Sequence, residues 1–188
     1  MKNMSKTAII YAILAAALYA INIPLSKLLL NHIPPTLMAG FLYLGAGTGM
    51  FLLSIIHKEN DETQKLTKAE LPYTLGMIVL DIAAPIFLMF GLIMTNSANA
   101  SLLNNFEIVA TSIIALVCFK EIISPKLWTA ILFITVSTII LSFEDMSAFA
   151  FSKGSLLILC ACVCWGFENN CTRKLSSKSS TEIVVLKG

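Results

Sequence analysis

The chain of 188 residues is 57% hydrophobic and only 13% charged, whereas an ordinary soluble domain carries about 25% charged residues. The formal net charge is +2, and no basic block is interleaved with aromatic residues, so the composition argues against a nucleic-acid-binding protein. The charged residues stand in short clusters between long apolar runs, and this distribution predicts an integral membrane protein.

Six apolar runs follow one another along the chain, and each is long enough, or nearly so, to cross a bilayer core of about 30 Å as a helix. They cover residues 7–30, 36–56, 71–94, 98–119, 127–143 and 154–172. The first run is too long for the apolar region of a cleaved signal peptide. All six are too uniformly apolar for the alternating strands of a barrel. The sequence therefore predicts an all-α, polytopic transmembrane helix bundle with six helices plus the start of a seventh.

The connectors between the runs differ in positive charge. With the N-terminus in the cytoplasm, ten Lys and Arg residues fall on the cytoplasmic side, and only Lys27 and Lys153 fall on the other. Because cytoplasmic loops carry the excess of Lys and Arg, this bias predicts a multi-pass protein of the inner (plasma) membrane with a cytoplasmic N-terminus.

A shift of 146 residues aligns the first apolar run with the sixth and keeps the order of chemical types. The aligned pairs are Tyr19 with Trp165, Asn22 with Glu168, and Lys27 with Arg173. Identity is poor, and a chance match is the alternative. The two copies are five spans apart in chain order, an odd number, so the second copy enters from the opposite side, as in the inverted repeats of secondary transporters. We expect residues 7–143 to form a complete five-helix repeat and residues 153–188 to form the truncated start of a second, in a protein whose full-length relative has ten helices.

Several motifs resemble those of the EamA-type permeases of the drug/metabolite transporter superfamily. The likeness rests on Tyr19-Ala20-Ile21-Asn22, Pro34-Pro35-Thr36-Leu37, Ala98-Asn99-Ala100-Ser101-Leu102, Phe119-Lys120-Glu121 and Trp165-Gly166. One departure is the middle of the fourth helix, where many relatives carry a proline and this chain reads Asn104-Asn105-Phe106-Glu107. The resemblance implies an inverted-repeat permease for small metabolites or drugs and does not name the solute.

Three acidic residues, Asp81, Glu107 and Glu168, lie inside the apolar runs. A charged side chain at the bilayer centre costs at least about 2.5–3.5 kcal/mol, so such residues usually face the bundle interior or a water-filled cavity. One interpretation is a proton- or substrate-binding site, and the other is a protonated acid bonded to neighbouring helices. We expect Glu107 to point toward a cavity shared with the first, third and sixth helices.

Polar and aromatic residues at similar depths extend this candidate site. Asn22 and Asn104 supply amide groups, which either line a polar cavity or bond between helices. Tyr19 and Trp165 supply rings that either stack on a substrate or fill the bundle. With the three acids, these four residues are the predicted substrate- or proton-binding residues.

Two pairs of residues spaced four apart are interpreted as packing features. Gly45 and Gly49 form a small-xxx-small pair, which predicts close approach of a neighbouring helix. Cys160 and Cys164 share a helix face, but no His lies near them, so the chain is predicted to hold no metal. A nucleophile motif, a phosphate loop and a dinucleotide fingerprint are all missing from the sequence, so no enzymatic activity and no cofactor are predicted.

These features favour a secondary transporter that exports small metabolites or drugs, that is, an efflux permease. The expected partners are a small-molecule substrate, the lipid bilayer, and either a second copy of the chain or a missing second half; no nucleic acid is expected. The alternative is a membrane subunit that transports nothing and acts only by assembly with itself or with a partner chain.

Overall fold

The computed structural model describes residues 6–56, 67–145, 150–178, 183 and 186, and helices dominate these segments. The α-helices are α1 (Lys6–Leu29), α2 (Pro35–Ile56), α3 (Leu71–Met94), α4 (Ser97–Leu103), α5 (Phe106–Phe119), α6 (Pro125–Ser142) and α7 (Lys153–Lys174). A short 3-10 turn, Lys68–Glu70, precedes α3, and the strands β1 (Phe143–Asp145) and β2 (Ala150–Phe151) pair antiparallel between α6 and α7. The predicted all-α polytopic bundle is confirmed.

Within the described segments, five helical stretches are long and apolar enough to cross a membrane. They are Ile9–Leu29, Pro35–Leu52, Lys68–Met94, Ser97–Phe119 and Lys153–Lys174. The apolar part of α6, Pro125–Ile140, is shorter than these. Beyond α7, Ile183 and Leu186 have a helical backbone, at the place where the sequence predicts the start of a seventh helix.

The fourth span is interrupted at Asn104 and Asn105, a feature that the apolar pattern does not predict. The amide of Asn105 bonds the carbonyl of Leu102 at 3.2 Å, and the amide of Glu107 bonds the carbonyl of Asn104 at 3.1 Å. These bonds span three residues rather than four, which is the tighter 3-10 pattern. The interruption divides the span into α4 and α5 and sets Glu107 in the first turn of α5.

Helix α7 forms the centre of the packing, with α3 along one side and α5 along another. In the apolar windows of α3 and α7, 44% of the residues are buried, against 11% in α1, so α1 presents most of its surface outward. The outward-facing residues of α1 include Ile10, Leu14 and Leu18, which are large and apolar. Such a surface suits acyl chains as its surroundings.

Glycines let the central helices approach closely. A Cβ atom added at Gly91 of α3 would lie 2.8 Å from the carbonyl oxygen of Gly154, at the start of α7. A Cβ atom added at Gly166 would lie 2.9 Å from the Cβ atom of Ala110 in α5. Backbones that approach this closely leave no room for a side chain at these positions, and small residues of this kind are typical of membrane helix interfaces.

The close helix contact predicted for Gly45 and Gly49 in α2 does not occur among the described residues. A Cβ atom added at either position would have no other described atom within 4 Å, beyond its own helix backbone and chain neighbours. The face of α2 that carries this pair does not lie against a neighbouring helix of the described chain. The glycines that do sit in a close interface, Gly91, Gly154 and Gly166, belong to α3 and α7 instead.

Charged residues gather at one end of the bundle. Arg173, at the end of α7, pairs with Glu121, which follows α5. Lys178 pairs with Glu70, just before α3, at 3.2 Å, and its side chain is only 4% exposed. At the opposite end, the ammonium group of Lys27 donates to the carbonyl oxygens of Leu92 and Ile93, in the last turn of α3.

Candidate functional site

A cavity of about 450 Å³ lies between α1, α2, α3, α5 and α7. Its size falls within the range of about 300–1,000 Å³ that is usual for small-molecule sites. The described lining residues are Tyr19, Asn22, Ile23, Leu42, Tyr43, Ala46, Asp81, Pro85, Leu88, Met89, Asn104, Glu107, Trp165, Glu168 and Asn169. All seven residues that the sequence predicts for substrate or proton binding are therefore brought together on one wall or another of this cavity. Their roles remain a prediction.

The three acidic residues lie inside the apolar membrane spans. Asp81 follows the start of α3 by about 15 Å of helix, close to the middle of a helix of 24 residues. Asp81 and Glu168 are 4% and 3% exposed, and Glu107 is half-buried. Both of the other acids line the same cavity as Glu107. The cavity thus brings three acidic groups together within apolar helical spans.

A chain of hydrogen bonds connects the acid of α3 with the aromatic residues of two other helices. The indole nitrogen of Trp165 donates to the hydroxyl oxygen of Tyr43 at 3.3 Å, and that hydroxyl donates to Oδ1 of Asp81 at 3.0 Å. Pro85 lies four residues after Asp81, and because proline has no amide hydrogen, the Asp81 carbonyl loses its usual helical donor. The middle of α3 therefore places a carboxylate beside a proline in the cavity wall.

Glu107 is held by α7. The side-chain amide of Asn169 donates to Oε1 of Glu107 at 2.7 Å and to the hydroxyl oxygen of Thr111 at 3.2 Å. Because the fourth span is interrupted, Glu107 also lies in the first turn of α5, where the partial positive charge of the helix N-terminus favours a carboxylate. Glu168 accepts a hydrogen bond from Thr172, one turn later in α7.

The amide candidates take part in contacts that fix the cavity wall. The side-chain amide of Asn104 donates to the hydroxyl oxygen of Tyr19 at 3.1 Å, which connects the interrupted span with α1. Asn22 accepts a hydrogen bond from Ser26 at 3.2 Å. Tyr19 is 60% exposed, so its ring lies at the edge of the cavity, whereas Asn104 is 7% exposed. The thiol of Cys162 lies 3.7 Å from the carbonyl oxygens of Leu103 and Asn104, beside the same interruption.

Tyr43 is a polar cavity residue that the sequence interpretation missed. It bonds Asp81, and it lies roughly 12 Å along α2 from the first residue of that helix. Tyrosines of membrane helices are enriched near the interfaces, so a tyrosine placed well inside a span was the available signal.

A second cavity of about 380 Å³ adjoins the first between α2 and α3. Tyr43, Asp81 and Pro85 line both cavities. Leu186, beyond α7, also lines the second cavity. Tyr43 and Asp81 therefore stand in the wall between the two spaces.

The described residues contain no group of three or more His, Cys, Asp or Glu side chains arranged to hold a metal ion. Cys160 and Cys164 are free thiols, exposed and half-buried respectively. The described lining offers hydrogen bonding, charge and aromatic surface from its side chains.

An apolar helical bundle that encloses buried carboxylates defines a polytopic membrane protein with an internal polar cavity. Residues 6–143 match the EamA-like transporter family, and the chain belongs to that family. It is 23% identical over 191 residues to an uncharacterized transporter of Methanothermobacter thermautotrophicus, with 94% of this chain and 55% of the relative covered. The chain thus spans about half the length of that relative. No solved structure matches the chain.

Proposed function

We propose that the protein is a secondary transporter of small metabolites or drugs and that the cavity between α1, α2, α3, α5 and α7 is its solute site. The observation that carries the proposal is the convergence of Asp81, Glu107 and Glu168 on one cavity of solute size, deep within apolar helices. Buried acids in membrane proteins mark solute and ion pathways, and secondary transporters bind their cargo near the midplane. Membership of a transporter family agrees with this function.

We further propose that the working protein contains two five-helix repeats of opposite orientation. Residues 7–143 would form the first repeat and residues 153–188 the start of the second. Two pairs aligned by the 146-residue shift, Tyr19 with Trp165 and Asn22 with Glu168, all line the same cavity, as equivalent positions of two repeats would. The remaining helices would come from further chain or from a second copy. The greater length of the matched relative supports the first source.

Protonation of Glu107 or Glu168 is proposed to couple transport to the proton gradient. The three carboxylates line one cavity, so their full ionisation would place three like charges in one space. A proton or a solute could supply a counter-charge in turn, which is the exchange that an antiporter needs. Transport that is indifferent to a pH gradient across proteoliposomes would contradict this coupling.

The orientation proposed for the inner membrane places the N-terminus in the cytoplasm. The pairs Arg173–Glu121 and Lys178–Glu70 lie at the end of the bundle that the charge bias assigns to the cytoplasm. Labelling of a cysteine placed at Lys126, in a variant without native cysteines, tests this orientation. A membrane-impermeant reagent should label it only after the cells are opened, and labelling in intact cells would reverse the orientation.

The direct test of transport is a screen of the full-length protein. Cells that express it are compared with cells that carry the empty vector for altered tolerance or accumulation across a panel of metabolites and toxic compounds. The proposal predicts lower accumulation of at least one solute, and purified protein in proteoliposomes should reproduce its movement. A folded, membrane-inserted protein that moves no member of a broad panel would favour the alternative, a membrane subunit that acts only by assembly.

A further inference from the structure

We infer that Tyr43 is a positioning residue of the solute site. Its hydroxyl group holds the carboxylate of Asp81 and the indole ring of Trp165 in a fixed relation to each other, and this raises the affinity for the solute. The inference rests on the proposed function and adds a residue to the same site. It follows from the direction of one hydrogen-bond chain and from the helices that the chain joins.

The hydrogen-bond chain through Tyr43 has a defined direction. An indole ring carries a donor and no acceptor, so Trp165 can only donate to the Tyr43 hydroxyl oxygen, as it does at 3.3 Å. The hydroxyl group has one proton, and Oδ1 of Asp81 accepts it at 3.0 Å. A hydrogen bond to a carboxylate is charge-assisted and is stronger than one between neutral groups. Tyr43 is therefore the acceptor for Trp165 and the donor for Asp81 at the same time.

The chain joins three helices around the cavity. Tyr43 belongs to α2, Asp81 to α3 and Trp165 to α7. Ala39, one turn before Tyr43 on the same face of α2, is buried in the apolar core to which α3 and α7 contribute. Apolar packing thus turns this face of α2 toward the other two helices. The hydroxyl group of Tyr43 then fixes how the side chains of Asp81 and Trp165 are placed.

The placement of these side chains matters for binding because all three line the cavity proposed for the solute. A side chain that is free to change rotamer loses that freedom when it binds a solute, and the loss weakens binding. A carboxylate already held by a neighbour loses less, which is the advantage of a preorganised site. The hydroxyl group of Tyr43 should therefore lower the cost of solute binding at Asp81 without moving during transport.

The first test uses Trp165 as a spectroscopic reporter. The full-length protein is labelled with 5-fluorotryptophan, and the fluorine resonance of Trp165 is assigned by its loss in Trp165→Phe. Tyr43→Phe removes the hydroxyl group and keeps the ring, so it should shift this resonance. Tyr11→Phe is the matched control, since Tyr11 is exposed on α1, and it should leave the resonance unchanged. An unshifted resonance in folded Tyr43→Phe would overturn the inference.

Asp81→Asn tests whether the hydroxyl group transmits a change from Asp81 to Trp165. The shift that Asp81→Asn causes should fall by about half or more when Tyr43→Phe is also present, because coupled residues have non-additive effects. Glu107→Gln is the control, since Glu107 lines the same cavity but bonds Asn169 instead. Its effect on the resonance should be the same with and without the Tyr43 hydroxyl group. An effect of Asp81→Asn that does not depend on Tyr43 would count against the chain.

Transport kinetics separate positioning from a purely structural role. The probe is the member of the screening panel that the unmodified full-length protein moves fastest. Tyr43→Phe should raise its KM about tenfold and change kcat less than about twofold. A loss of folded protein alone would lower the apparent kcat and leave KM unchanged, and that result would overturn the inference. If Tyr43→Phe does not fold, Trp165→Phe breaks the same chain at its donor end, and the same rise in KM decides.

Failure of this inference is distinct from failure of the proposed function. An unmodified protein that moves a solute, together with a Tyr43→Phe variant of unchanged KM, would leave the transporter in place and remove only the role of Tyr43. A full-length protein that moves no member of the panel would remove the transport function, and with it the solute role of Tyr43.

Discussion

Substitution of Gly91 by alanine tests the closest interface of the bundle. The added Cβ atom would lie 2.7 Å from Cγ1 of Ile158, 2.8 Å from the carbonyl oxygen of Gly154 and 3.1 Å from the amide nitrogen of Ile158. Non-bonded heavy atoms prefer about 3.5–4.0 Å, so α3 and α7 would have to separate by several tenths of an ångström or more. Two of the three atoms belong to the backbone and cannot move aside by changing a rotamer.

The magnitude follows from a comparison with Gly45→Ala. Both substitutions gain the helix preference of alanine over glycine, about 0.5–1 kcal/mol in each case. A Cβ atom at Gly45 would meet no other described atom within 4 Å, so only Gly91→Ala carries the steric cost. Overpacking of a tight interior costs about 1–3 kcal/mol, and this is the expected difference in the free energy of unfolding between the two variants.

Thermal unfolding in detergent, followed by circular dichroism, measures the difference. For a chain of this size, 1 kcal/mol corresponds to a change of about 2–4 °C in Tm, so Gly91→Ala should unfold at a clearly lower temperature than Gly45→Ala. Equal Tm values for the two variants would refute the close approach of α3 and α7. A lower Tm for Gly45→Ala would show that a neighbour covers that face of α2.

The remaining predictions concern polar contacts and use the same unfolding assay. Lys27→Met should cost about 1.5–3 kcal/mol, because it removes charge-assisted hydrogen bonds to the last turn of α3. Lys126→Met, at an exposed position, should change stability little. An equal loss of stability in Lys27→Met and Lys126→Met would contradict a stabilising role for the bonds from Lys27 to α3. Asn170→Ala should cost about 1–3 kcal/mol, because the Asn170 side chain, in α7, is buried and bonds a carbonyl of α5 at 3.0 Å. Glu121→Gln should stay within about 1 kcal/mol of the unmodified protein, because its partner Arg173 is largely exposed; a larger loss would show that the pair is not merely a surface contact.

The transmembrane helices were predictable because bilayer thickness fixes their length and the absence of water fixes their composition. The bounds of the apolar runs that predicted α1, α3 and α7 agree with the bounds of these helices to within a few residues. The interruption at Asn104 and Asn105 escaped the apolar pattern, since two polar residues in a long run lower its hydropathy only slightly. Asparagine side chains that bond nearby carbonyls compete with the helical ladder, and Asn105 bonds Ser101 and Leu102 in this way.

The membership of the cavity was predictable in part, for a related reason. Burying an acid among lipid tails costs so much that Asp81, Glu107 and Glu168 were each expected to face the interior. The sequence could not show that they face the same interior space, because that depends on the rotation of each helix about its axis. Tyr43 was not predicted because burying a tyrosine in a membrane costs little free energy when its hydroxyl has a hydrogen-bond partner. Only the fold shows that Asp81 is that partner.

The packing of α2 marks another limit of the sequence pattern. Gly45 and Gly49 have the spacing of a close helix interface, yet a Cβ atom at either would meet nothing within 4 Å among other described atoms. The spacing identifies a face that allows close approach, and it does not identify a partner for that face. Gly91 and Gly154 approach each other across two different helices, so no local spacing along the chain could have predicted their contact.

Helices α1 and α7 both contact the C-terminal end of α3. The last turns of α1 lie against the end of α3 through Lys27, and the first turn of α7 lies against the same end of α3 through Gly154. The two helices therefore run in opposite directions beside the cavity, while the inverted repeat itself stays a prediction. Residues from both helices face the three acids.

Transport by Glu107→Gln tests the central claim, that the acid-lined cavity is the path of the solute. The full-length protein is reconstituted in proteoliposomes with a solute that the screen identifies, and initial rates are measured for the unmodified protein, Glu107→Gln and Glu121→Gln at equal amounts of folded protein. Glutamine keeps the shape of the side chain and its bond to Asn169 while removing the charge. We predict a loss of at least about tenfold for Glu107→Gln and an unchanged rate for Glu121→Gln. A normal rate for Glu107→Gln, in a protein that inserts and folds as the unmodified one does, would contradict the account.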